Sequence, residues 1–167
     1  MNIDPFLIWL ESTALSQWIV GSESMFAFPG ILALHAIGMG FAVGICLALD
    51  LRILGVAPAV RIAEMRRFVP VVWAGFWLNA VSGVLLLIGY PTKALTNPVF
   101  YLKLLLIGAG LWLFRRIGRR VFDDAGDQRA QSPLVQRLAI VSLVCWVGAI
   151  TAGRFLAYTY HRLTALS

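Results

Sequence analysis

FAFPGILALHAIGMGFAVGICLAL, residues 26–49, contains one histidine and no charged residue. A helix needs about 20 apolar residues to cross the hydrocarbon core of a bilayer, so this stretch is long enough to span one. Three more runs share its character, at about 69–90, 98–114 and 137–160. Together they predict an all-α integral membrane four-helix bundle, a single transmembrane domain over residues 1–167. Composition agrees: 60% of the 167 residues are hydrophobic and 13% charged, where soluble domains carry about a quarter charged.

The basic residues set the orientation. Twelve of the 14 are Arg, and ten of these fall in two connections between spans. The connection Asp50–Phe68 carries Arg52, Arg61, Arg66 and Arg67, and the one after the third span carries Arg115, Arg116, Arg119, Arg120, Arg129 and Arg137. The opposite side shows Lys93 and Arg162. Positively charged loops stay in the cytoplasm, so both connections are predicted to be cytoplasmic and both termini periplasmic, in a bacterial inner membrane. The same distribution removes nucleic acid as an explanation of the net charge of +6 and leaves membrane lipids as the surroundings. MNIDPFLIWL has no basic region ahead of its apolar stretch and no small-residue cleavage site after it, unlike a signal peptide.

Residues 5–20, PFLIWLESTALSQWIV, are too short to cross. Leu7, Leu10, Ala14 and Trp18 share a helical face away from Glu11, Thr13 and Gln17, which predicts an amphipathic helix lying in the outer interface. Cys46 and Cys145 both fall inside spans, where they read as small packing residues. No CxxC, CxxCH or HExxH spacing occurs, which removes covalent c-type haem and zinc-hydrolase chemistry. Residues four apart form small-residue stripes that let helices approach closely: Ala36, Gly40, Gly44 and Ala48; Gly75, Asn79 and Gly83; Ala149, Gly153 and Ala157.

Ionisable residues inside apolar helices mark working sites, because charge in hydrocarbon is costly. At a rise of about 1.5 Å per residue, His35 lies roughly 13 Å below the outer end of its span, Lys103 some 7 Å and Arg154 about 9 Å. Asn79 sits near the middle of the second span. Antiparallel packing brings one polar residue from each helix into the outer half of the bundle, with no carboxylate in the spans nearby. Two cations without an acidic partner predict an anionic ligand, and a histidine deep in a helix bundle predicts axial ligation of a haem iron. Gly38 and Gly40 beside His35 leave room for a porphyrin face, and His161, at the membrane edge, is the candidate second iron ligand. Cofactor candidates are therefore His35, Lys103, Arg154, Asn79, Gly38 and Gly40, with haem b as the cofactor and His35 and His161 as metal ligands. Two alternatives stand beside this. His35 with Met39, and Met25 as the only other nearby thioether, would suit copper handling or transport; the small-residue stripes would suit a structural subunit, a homo-oligomer or a redox partner's docking face.

LHAIGMGFAVGICLALDLRILG, followed by RRFVPVVWAGFWLNAVSGVLLLIGY and NPVFYLKLLLIGAGLWLFRRIGRR, resembles the small membrane proteins of the HemJ-type protoporphyrinogen oxidase and copper-resistance-D-like group. The resemblance covers about residues 27–120. It implies haem b as cofactor and gives importance to a His in the first matching helix and a Lys early in a later one, here His35 and Lys103. Protoporphyrinogen oxidase activity is what it implies for catalysis. The chain departs from that pattern after the Lys helix, where LWLFRRIGRR keeps Gly118-Arg119 without the expected His, and again in the fourth span, which adds Arg154 and His161.

Overall fold

A computed structural model describes the backbone of residues 5–123 and 125–164, with side chains up to Leu156. The described residues form helices and connecting turns, without strands. Two short helices, α1 (Pro5–Glu11) and α2 (Ala14–Gly21), precede α3 (Phe28–Ile53). Helix α4 (Ile62–Met65) runs through a 3₁₀ turn into α5 (Val69–Gly89), and α6 (Pro91–Leu95) leads to α7 (Pro98–Val121). Helix α8 (Gly126–Ala130) then precedes α9 (Pro133–Thr164).

Four segments are long and apolar enough to cross a membrane: Phe28–Ile53, Ile62–Gly89, Pro98–Val121 and Pro133–Leu156. Their outer surfaces stay apolar, with Trp77, Leu105 and Val144 each at least 60% exposed. An apolar surface this continuous needs lipid around it, and the chain is a multi-pass membrane protein. Pro29, Pro70, Pro98 and Pro133 stand in the first turns of their helices, where proline's missing N–H costs nothing.

The helices run longer at the Arg-rich end than hydropathy indicates, and the reason is local partnering. Helix α3 continues to Ile53 and takes Asp50 and Arg52 into the helix; Arg52 reaches Asp127 of α8 at 2.8 Å and the carbonyls of Pro58 and Val60. Helix α7 continues to Val121 because Arg115 lies over the Trp73 ring of α5, 4.3 Å from its centroid, and Arg116 lies over Trp112. Guanidinium groups stacked on aromatic faces remain solvated on one side while holding their helix.

The segment read as one amphipathic helix over 5–20 is two. Thr13 breaks it, accepting a hydrogen bond from the Ser16 N–H as the cap of α2. The buried face runs through Leu7, Ser16 and Ile19, and Trp18 is turned outward, 45% exposed. Ile19 presses on Gly89 at the end of α5, so the pair caps the end of the bundle opposite the Arg-rich connections.

Two hairpins make up the bundle. Helices α3 and α5 pack along their length, as do α7 and α9; the hairpins meet mainly through α3 and α9, and α5 and α7 touch little. In lipid, apolar packing gives no net drive between helices, so close backbone approach takes over. Gly38 and Gly75 provide it: a Cβ on Gly38 would stand 2.6 Å from the Asn79 backbone N, and one on Gly75 2.9 Å from the Gly38 carbonyl oxygen. Gly110 does the same between α7 and α9 by lying under the Trp146 ring. The stripe Ala36, Gly40, Gly44 and Ala48 faces out of the bundle; the α3 residues at the crossing are Gly38 and Ala42.

Candidate functional site

His35 is locked to α5 by a reciprocal pair of hydrogen bonds. Its Nδ1 lies 3.0 Å from the Asn79 carbonyl oxygen, and the Asn79 side-chain amide donates to the His35 carbonyl at 2.7 Å. Ser82 Oγ lies 3.2 Å from the same ring nitrogen and donates its own hydrogen to the Leu78 carbonyl at 2.6 Å. A carbonyl oxygen only accepts, so Nδ1 carries the ring proton and a neutral ring keeps its lone pair on Nε2. Metal-binding histidines are oriented in this way, the far nitrogen donating to a carbonyl while the near one faces the metal. Gly83 makes the space: a Cβ there would be 3.1 Å from His35 Cε1.

Lys103, on α7, comes close enough to His35 for their charges to interact. Its side chain lies along α9 at Gly153, where an added Cβ would be 3.8 Å from Nζ. No carboxylate pairs with it among the described residues. A cavity of about 30 Å³ lies at the centre of the four spanning helices, with Asn79 and Lys103 as polar walls and Met39, Phe76 and Trp146 among the apolar ones. One water molecule fits such a space.

His35, Asn79 and Lys103 therefore converge as depth counting indicates. Arg154 does not join them. It is exposed on α9, one residue and so about 100° round the helix from Gly153, because depth fixes height along a helix and leaves the azimuth open. Gly38 is filled by the backbone of α5 and offers no porphyrin face, whereas a Cβ added to Gly40 would have nothing within 4 Å. Met39 lines the cavity, and no group of three or more His, Cys, Asp or Glu that could hold a metal ion occurs among the described residues. The side chain of His161 lies outside the described residues.

Asp50 and Ser82 are the polar residues that sequence reasoning passes over. Asp50 is 2% exposed inside α3. The signal for it is the unbroken apolar pattern through LALDLRIL, which carries the helix past the acid. Compared with models of known families, with curated proteins and with solved structures, the chain matches none.

Proposed function

We propose that this chain is a bacterial inner-membrane haem b protein that transfers electrons, with His35 Nε2 as the iron ligand and Lys103 as the partner of a propionate. The observation that carries it is the His35 Nδ1 contact to the Asn79 carbonyl, which leaves Nε2 free to ligate. The donor set fits haem: a neutral imidazole oriented from behind, and a half-buried cation without an acid. The closed interior does not fit the macrocycle, since about 30 Å³ is available where organic ligands occupy about 300–1,000 Å³.

When bound, haem b supplies one-electron exchange at its iron. The chain's own residues do the rest: Asn79 and Ser82 hold the Nδ1 proton and fix the ring plane, and Lys103 offsets a carboxylate's charge. The apolar walls around them keep water scarce, which strengthens both contacts. The resemblance of residues 27–120 to HemJ-type proteins supports porphyrin oxidation as an associated activity. Absorption spectra of the detergent-purified protein, oxidised and then reduced with dithionite, test this reading. A Soret band that shifts on reduction is the expected result, and a featureless spectrum after growth with added haem precursor rejects it.

The anion contact has its own test. Lys103→Met is expected to lower haem retention on the order of tenfold, the equivalent of one charge-assisted hydrogen bond. Arg154→Met leaves retention unchanged, because Arg154 is exposed away from the site. Equal losses in the two variants would remove Lys103 from its assigned role.

The site lies on the periplasmic side in this proposal, since the Arg-rich connections are assigned to the cytoplasm. Reporter fusions truncated at Gly126 and at the end of the chain should read cytoplasm and periplasm respectively. A single compartment for both would refute the four-span orientation.

A further inference from the structure

At the Arg-rich half of the bundle, three buried polar groups lack partners. Among the described residues, Asp50 Oδ2, Ser142 Oγ and Trp146 Nε1 have no partner at full hydrogen-bond distance, in side chains that are 2%, 1% and 2% exposed. Buried polar groups are almost always satisfied, so three such groups require an explanation. Two of them face each other across α3 and α9, and the third stands one helical turn away with its ring over Gly110 of α7. Ser142 faces the Asp50 carboxyl from α9, and Trp146 is one helical turn further along the same face of α9. Trp146 is also a wall of the central cavity that Lys103 and Asn79 line.

Among the described residues, no cation pairs with Asp50. Arg52, the nearest cation on its own helix, is turned to Asp127 and to the loop carbonyls. Helix α4 and the start of α5 turn Ile62, Met65 and Val72 inward, and Glu64, Arg66 and Arg67 outward. Among the described residues, the titratable groups near enough to interact with it are two thiols, Cys46 one turn earlier on α3 and Cys145 on α9. An isolated carboxylate in such a place is costly and resolves by taking up a cation or a proton. Hard metal cations take six or more oxygen ligands, whereas Asp50 and Ser142 are the oxygen-bearing side chains of the cluster, and the indole N–H of Trp146 only donates. The chemistry fits a proton.

We propose that Asp50, Ser142 and Trp146 form a proton-carrying line between the Arg-rich end of the bundle and the central cavity. Asp50 holds the proton as a carboxylic acid. Ser142 accepts it and hands on its own, and water held in the cavity and along the line beside the Trp146 N–H closes the connection to Asn79 and Lys103. One O–H bond forms for each that breaks, and no oxidant or reductant is involved. The line works with or without a cofactor at His35.

Infrared spectroscopy of the purified full-length protein, transferred from H₂O to D₂O, reads this directly. The wild type is expected to show a protonated-carboxyl C=O band that Asp50→Asn abolishes and Asp50→Glu shifts, and that moves on deuteration as the proton exchanges. Ser142→Ala and Trp146→Phe should each slow that exchange by about tenfold or more, the rate equivalent of a hydrogen bond lost from the path. If Asp50→Asn does not fold, the shifted band of Asp50→Glu identifies the same group. A wild-type spectrum whose carboxyl bands are indifferent to both Asp50 substitutions overturns the proposal. So does exchange that proceeds at the wild-type rate in both the Ser142 and Trp146 variants.

Discussion

His35→Ala is expected to strip the purified protein of its haem absorption while leaving the chain folded in the membrane. The substitution deletes Nε2, the assigned iron ligand, together with the Nδ1 contacts to the Asn79 carbonyl and Ser82. It spares the bond from the Asn79 amide to the residue-35 carbonyl, because that acceptor is backbone. The α3–α5 contact thus loses one of its two reciprocal bonds, worth about 0.5–1.5 kcal/mol, and keeps its glycine crossing. Ser82 and the Asn79 carbonyl remain bonded to each other and Ser82 to Leu78, so no buried donor is orphaned. Imidazole added to the medium should restore part of the Soret band by entering the vacated space beside Gly83. Haem content equal to wild type in His35→Ala would remove His35 as the ligand.

Gly38→Ala and Gly75→Ala should each lower the melting temperature sharply, whereas Gly40→Ala should not. At Gly38 and Gly75 the new methyl group meets backbone atoms of the opposing helix at 2.6 and 2.9 Å. Backbone cannot rotate away as a side chain can, so α3 and α5 must separate. Overpacking of this kind costs about 1–3 kcal/mol or more, which in a chain of this size lowers the melting temperature by roughly 2–4 °C per kcal/mol. A Cβ on Gly40 meets nothing within 4 Å, and alanine is the better helix former by about 1 kcal/mol. Thermal unfolding followed by fluorescence in detergent checks all three. A melting temperature for Gly38→Ala at or above that of Gly40→Ala would mean that the helices cross elsewhere.

The spans are legible in the sequence because length and hydropathy alone decide them. Helix ends are not, since they depend on partners distant in the chain: Arg52 finds Asp127 seventy-five positions away, and Arg115 finds Trp73. The site is legible to the same extent. Counting residues from the membrane surface places His35, Asn79 and Lys103 at compatible heights. It leaves the rotation of each helix open, which is why depth alone groups Arg154 with them and overlooks Ser82. Asp50 reads as the start of a loop because a charged residue after an apolar run is the usual sign of a membrane boundary. Here the helix runs on through it. Gly38 stands out in the sequence for the space it leaves, and that space is taken by α5, a fact visible only once the partner helix is known.

The division into two hairpins has a consequence for the order of biosynthesis. Every residue that orients His35, namely Asn79, Ser82 and Gly83, belongs to the first hairpin. The imidazole can therefore be aligned as soon as α5 enters the bilayer, before Lys103 has emerged to join it. The second hairpin then closes on a ligand already facing the right way, and assembly of the site becomes a docking event between two prefolded halves.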